Sequence, residues 1–249
     1  NDEINDLLVE WVNDGTLNHI INDEIFSHKL DKVEFKEYMD LRKANAQVPL
    51  FIPTYHWGDN HAVDPCVRDF SDKKYGYEYI MSFTPYSESR DRYENPSIVV
   101  SNDRYNWFVP NGLENPVTDT PPTNNTWHYS DSRIVDNGEE LELWYRYTDK
   151  GTRQSQILMK KTSDLINWSN PIVLFDSTGQ DTSYISPSIE IENGLYKVWY
   201  RTASNKYVLT TSNDLNNWSS PKEITFDFGK YSEDGYTIWH CEFKYIEDD

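Results

Sequence analysis

The chain is short of several things, and each shortage excludes something. Cysteine occurs only at Cys66 and Cys241, too rarely for a disulfide scaffold. Basic residues number 23 against 42 acidic ones, a formal net charge of -19. Phosphate binding rests on lysine and arginine, so this balance argues against a nucleic-acid partner. It argues against an anionic membrane surface too, and a solvated, self-repelling exterior is its plain reading. No apolar run is long enough to cross a bilayer as a helix. No signal-peptide pattern opens the chain. Its first residue is Asn1, not methionine, which points to a fragment or a processed product.

Aromatic residues are plentiful instead: 15% of the 249 residues, including 9 Trp and 18 Tyr. Strand surfaces favour such rings, and clefts that bind sugars use them as flat packing faces. The chain divides in two. In residues 1–45, Ile4, Leu7, Leu8, Trp11 and Val12 recur at helical spacing, as do Leu17, Ile20, Ile21, Ile25 and Phe26. Asp14-Gly15 breaks the pattern, and Thr16 is placed to cap a second helix. Helices this short need a partner, so a self-associating helical stem is expected.

From Gln47 onward, short apolar runs alternate with Asn, Asp, Gly, Ser and Pro turns, the pattern of strands. One turn is written three times: SNDRYNW from Ser101, TSDLINW from Thr162 and SNDLNNW from Ser212. Around it each unit supplies four strands, for example SRIVDNG, LELWYRY, QILMKKTSD and PIVLFD in the second. Four short strands per long repeat is the signature of a β-propeller blade. In each turn Asp103, Asp164 or Asp214 should cap backbone amides, and the Trp should pack between blades. The expected fold is mainly β: a helical stem (1–45), then a propeller (46–249) of three blades and the first strand of a fourth, YTIWHCEFKYIEDD. Cys66 and Cys241 fall on corresponding strands and should be free thiols. Closure needs at least four blades, and five is the preferred count.

The blade text resembles the five-bladed propellers of glycoside hydrolases acting on arabinans, xylans and fructans. The resemblance rests on the SxDxxxW turn and on Asp64 and Asp131 opening the first two blades. It implies a funnel lined by first strands, with Asp64 as general base and Asp131 as the carboxylate that tunes it. The acid should be a Glu opening the third blade, but ISPSIEIENG puts Ser186 and Ser188 there, with Glu190 and Glu192 deeper. Losing a proton donor costs roughly 10²–10⁴-fold, so this departure favours sugar binding over catalysis. Asp64, Glu94, Asp131, Ser186, Trp239 and His240 are the expected ligand-binding residues. Arg146 and Arg201, in matching places, are expected to bridge blades.

The segment INDLLVEWVNDGTLNHIINDEIFSHKLDK from Ile4 is similar to helical stems of tail proteins from phages of Gram-positive bacteria. Stem followed by propeller resembles the receptor-binding proteins of staphylococcal phages. That resemblance implies a homotrimer at the phage tail tip, held with other baseplate proteins. It would adhere to glycosylated wall teichoic acid, without catalysis. The alternative is a glycoside hydrolase or depolymerase with Asp64 as base and Glu94, Glu190 or a residue beyond position 249 as acid. No cofactor is expected. The stretch YHWGDNHAVDP gathers His56, Trp57, Asp59, His61 and Asp64, but its spacing fits no standard metal site, so no metal is expected either.

Overall fold

Strands make up nearly all of the regular structure. The computed structural model describes residues 50–55, 61–121, 126–177, 183–226 and 239–243, together with the backbone course of three strands before residue 30. Those three correct the expected stem. Leu8–Val12 (β1), Thr16–Ile21 (β2) and Glu24–Lys29 (β3) form an antiparallel meander, not helices. Its register sets Leu8 opposite Ile20 and Ile20 opposite Ile25. Short apolar runs fit a helical stripe and a strand equally well. Here Val, Ile and Thr favour the strand, and only three and two residues separate successive strands, lengths that suit hairpins. Thr16 begins β2 instead of capping a helix. The bundle expected of these residues has no helix in residues 8–29 to build it. The remainder of the predicted stem, residues 30–45, lies outside the described residues.

Three blade-like sheets follow. The first contains Ala62–Asp69 (β4), Tyr79–Pro85 (β5) and Ser97–Ser101 (β6), with Phe108 bridging to Val100 where a fourth strand was expected. The second runs Trp127–Asp136 (β7), Leu141–Asp149 (β8), Gln154–Thr162 (β9) and Ile172–Asp176 (β10). The third runs Ile185–Glu192 (β11), Leu195–Arg201 (β12), Tyr207–Ser212 (β13) and Lys222–Ile224 (β14). All pairings are antiparallel and sequential. The predicted fourth-blade strand is described only at residues 239–243.

The repeated turn behaves as its chemistry dictates. The Asp103 carboxylate accepts from the amides of Tyr105 and Asn106, and Asn106 Nδ2 donates to its second oxygen at 2.7 Å. Asp164 and Asp214 repeat the arrangement. Hydrogen bonds from Asn167 and Asn217 hold these two carboxyls well below the usual range. Each turn Trp donates Nε1–H to the carbonyl of a residue with positive φ: Arg104, Leu165 or Leu215. Trp218 packs against Phe175 and Trp144 of the second blade, as expected of an inter-blade wedge, whereas Trp107 is buried beside its own blade's Met81, Phe83 and Val99.

Two apolar clusters join neighbouring blades. One unites Cys66, Ile80 and Ile98 with Ile134, Leu143 and Leu158; the other unites Trp144, Ile157 and Met159 with Ile189, Val198 and Tyr200. Both cysteines are free, Cys66 buried and Cys241 half-buried. Between the second and third blades sits Glu142, fully buried. It accepts from Asn137 Nδ2 (2.7 Å), Trp144 Nε1 (3.0 Å) and Tyr196 OH (2.9 Å), and pairs with Lys161 Nζ at 3.0 Å. Replacing it strands four donors at once. Glu142→Leu is therefore expected to lower unfolding free energy by about 3–5 kcal/mol, read as a fall in urea midpoint; a change near zero would show that the network is not structural.

Candidate functional site

The three first strands share one irregularity. Between Val63 and Cys66, Ser130 and Arg133, and Ile185 and Ser188, the register slips so that one extra residue is accommodated. These are β-bulges, which bend a strand and re-aim a side chain. The inserted positions include Asp64, Asp131 and Ser186, with φ of 53°, 54° and 49°. Positive φ costs a non-glycine residue on the order of 1–3 kcal/mol unless its surroundings compensate. Here the surroundings do so.

Asp64 is clamped by Arg133, with Nη1 at 2.8 Å from one oxygen and Nη2 at 2.9 Å from the other. Arg133 is itself buried. Asp131 accepts from Arg146 Nη1 and from the Ser186 amide, each at 3.0 Å. Burial would push the Asp131 carboxyl up, but Arg146 and the Ser186 amide outweigh it and hold the group below its ordinary value. Ser186 Oγ lies 2.5 Å from His240 Nδ1 and donates to Trp239 O at 3.2 Å. His240 Nδ1 is 3.9 Å from Asp64 Oδ1.

Glu94 enters from the segment before β6. A tight 3-10 turn, Asp91–Tyr93, precedes it, and its amide donates to Asp91 O at 2.9 Å. Buried Asn95 anchors the segment through Tyr55 OH and Arg92 O. Burial first, then the charges of Asp131 and Asp91, push the Glu94 carboxyl up to about 8. His128 Nε2 stands 3.7 Å from Glu94 Oε2, and burial draws its imidazole down to about 4. At neutral pH Glu94 therefore keeps its proton and His128 carries no charge. Asp91 pairs with Lys150 at the rim. These groups border a cavity of about 620 Å³.

Five of the six predicted site residues line that cavity: Asp64, Glu94, Asp131, Trp239 and His240. Ser186 is fully buried and acts from behind, on Asp131 and His240. His61 stands apart from them, and His56, Trp57 and Asp59 lie outside the described residues. Glu190 is paired with Arg68 and Glu192 with Lys197, which takes both out of the role of acid. Arg146 pairs within its own blade, not between blades; Arg201 does reach across, stacking on Trp239. Sequence reasoning missed His128, Arg133, Asp91 and Lys150. The signal for the first two was proximity to Asp131 in HYSDSR; the other two carried none.

One grouping went unforeseen. Ligand atoms of Asp64, Asp131 and His240 all lie within 4.8 Å of one another. Two carboxylates and an imidazole suit a divalent cation, and three protein ligands leave positions open for water and substrate. The donor chemistry fits, and Arg133 and Arg146 hold the two carboxylates in place.

No family model matches the chain. It is 25% identical over 244 residues to the A type blood N-acetyl-alpha-D-galactosamine deacetylase of Flavonifractor plautii, a match covering 79% of this chain and 31% of that protein. The chain thus spans about a third of its curated relative. The crystal structure of an N-acetylgalactosamine deacetylase from F. plautii, in complex with blood group B trisaccharide, superposes with a TM-score of 0.69 at 22% identity. It covers 79% of this chain and 63% of that one. A thermostable family-43 glycoside hydrolase gives 0.51 at 12% identity (89% and 72% covered), and the Penicillium chrysogenum alpha-L-arabinanase with arabinobiose gives 0.50 at 15% (72% and 54%). The expectation of a phage adhesin is overturned: the relatives are named as a deacetylase and as glycosidases, carbohydrate-active enzymes on the same mainly β, propeller-type fold.

Proposed function

We propose that the chain carries a carbohydrate-active hydrolase centre that removes an acyl group from an amino sugar. The observation that carries this reading is the meeting, in one cavity, of a metal-ligand set with a carboxyl that stays protonated at neutral pH. The deacetylase likeness supports it. Asp64, Asp131 and His240 would hold a divalent cation, which when bound would polarise the acyl oxygen and acidify water.

The chain's own groups divide the remaining work. Amide hydrolysis expels an amine, which leaves only once its nitrogen has gained a proton. Glu94 is the side chain in the cavity that holds one to give. Its neighbours keep it in that state: Asp131, Asp91 and Asp64 oppose a further negative charge, and neutral His128 offers none of the positive charge that would draw the proton off. Arg133 and Arg146 fix the two aspartates at angles their backbone would not hold unaided.

A second reading is a glycoside hydrolase with Asp64 as base and Glu94 as acid. The protonated Glu94 and the likeness to family-43 and arabinanase structures favour it. Against it, the superposition on the deacetylase is the better, with a TM-score of 0.69 against 0.51 and 0.50.

The two readings separate in one assay, with N-acetylgalactosamine glycosides as first substrates. Acyl hydrolysis releases acetate, stops with a chelator and returns with added divalent cation. Glu94→Gln should lower kcat by roughly 10²–10⁴-fold. Release of reducing sugar without acetate, indifferent to chelator, would establish the glycosidase instead; neither product would refute both.

The same groups predict how stability follows pH. Glu94 ionises at its ordinary 4.5 when unfolded but near 8 when folded. Between these values the unfolded chain holds fewer protons, so stability falls as pH rises. His128 runs the other way: 6.5 unfolded and about 4 folded, so stability falls as pH drops through that window. Melting temperatures recorded from pH 4 to 9 should show Glu94→Gln flattening the alkaline fall and His128→Gln the acid fall. Parallel profiles for wild type and variants would show that neither group is perturbed by the fold.

A further inference from the structure

Ser186 occupies the third bulge, where the first two blades place an aspartate. The difference propagates. In the second blade Asp131 captures Arg146, which lies opposite Ser130 across β7 and β8. Arg201 is its counterpart in the third blade, opposite Ile185. With a serine beside it, Arg201 pairs with no carboxylate among the described residues. Buried itself, it lays its guanidinium 4.4 Å from the centre of the Trp239 ring. Asn205 Oδ1 holds it there.

Trp239 is the most exposed large hydrophobic side chain among the described residues, 59% accessible despite the arginine on one face. Its other face is therefore open. Its backbone is nevertheless anchored, because the Trp239 carbonyl accepts from both Ser186 Oγ and Tyr207 OH at 3.2 Å, and the Arg201 guanidinium covers one face of the ring. A tryptophan serving the core would be buried, and an idle surface one would have no reason to be braced from behind and tied at its backbone. Trp239 also borders the cavity. Its ring centre lies 6.1 Å from that of His240, inclined at 71°. It thus stands one ring beyond the cluster of Asp64, Asp131 and His240, a displacement on the scale of one sugar unit.

We propose that Trp239, braced by Arg201, is the platform of a second sugar subsite. The substrate is then the terminal amino sugar of a longer glycan, not a free monosaccharide: the reacting sugar lies in the cavity and its neighbour lies flat on the indole. This rests on the amino-sugar hydrolase reading above and extends it to the substrate's length. Bare indole is large, rigid and apolar, and presents a flat face with little conformational entropy to lose.

Calorimetry on the Glu94→Gln chain, with slowed turnover, tests it. Two ligands are compared: the methyl glycoside of N-acetylgalactosamine, and a disaccharide bearing that sugar at its non-reducing end. The disaccharide should bind about tenfold more tightly, ~1.4 kcal/mol. Adding Trp239→Ala should erase the preference, bringing the two ligands to equal affinity. Trp239→Phe should keep much of it, which separates loss of the platform from loss of the fold. Equal affinities in the parent, a preference that survives Trp239→Ala, or no binding of either ligand would overturn the subsite. Acetate release by the wild-type chain is followed in parallel. A Trp239-dependent preference without acetate would keep the subsite and refute the hydrolysis.

Discussion

Everything in the cavity depends on a backbone distortion repeated at the head of three strands. An extended strand sends successive side chains to opposite faces of its sheet. One extra residue breaks that alternation, and in each blade it brings a polar side chain to the same end of the strand. The left-handed conformation at Asp64, Asp131 and Ser186 persists because each residue is over-determined, by Arg133, by Arg146 with the Ser186 amide, and by His240 with Trp239 O. Strain and the candidate site sit on the same residues.

The electrostatics follow from that placement. The chain is acidic overall, yet three aspartates at the cavity, Asp64, Asp131 and Asp91, are matched by Arg133, Arg146 and Lys150. Each aspartate has a cation of its own. Glu94 has none and faces the residual field of all three, in a buried position. A fourth negative charge there is costly, so the proton stays. Glu94 is pushed up while Asp131 and Asp91 are held down, the kind of separation on which acid and base assignments are made.

Much of this was legible in the chain beforehand, and the failures have physical causes. The thrice-written turn located the blades because its hydrogen bonds are local: Asp103, Asp164 and Asp214 bond within three residues. Asp64 and Asp131 were legible because repeats align. Glu94's protonation was not, since it arises first from burial and then from the charges of Asp131 and Asp91, which only the folded chain brings about. Expecting the acid at the head of the third blade, where Ser186 stands, weighted the reading against catalysis and left Glu94 only an alternative. The protonated carboxyl comes from the first blade instead. Residues 8–29 were misread because Leu, Trp and Ile at three- and four-residue spacing satisfy a helical stripe, while their pairing partners lie on neighbouring strands that a single-segment pattern does not weigh.

Arg68 lies on the same first strand as Asp64, four residues further along. Its Nε donates to Ile134 O at 2.9 Å and its Nη2 to Ile189 O at 3.3 Å; its guanidinium meets Glu190 at 3.1 Å and Glu242 at 3.7 Å. One side chain thus touches β7, β11 and the segment around residue 242, which also carries Trp239 and His240. During synthesis the first blade emerges with its arginine unsatisfied, and each later arrival engages another of its donors. The last contact comes with the segment that delivers the imidazole. Assembly of the axis and completion of the ligand set are then a single late, long-range event, of high sequence separation and correspondingly slow. A chain lacking that segment would hold Asp64 and Asp131 in place without the imidazole beside them.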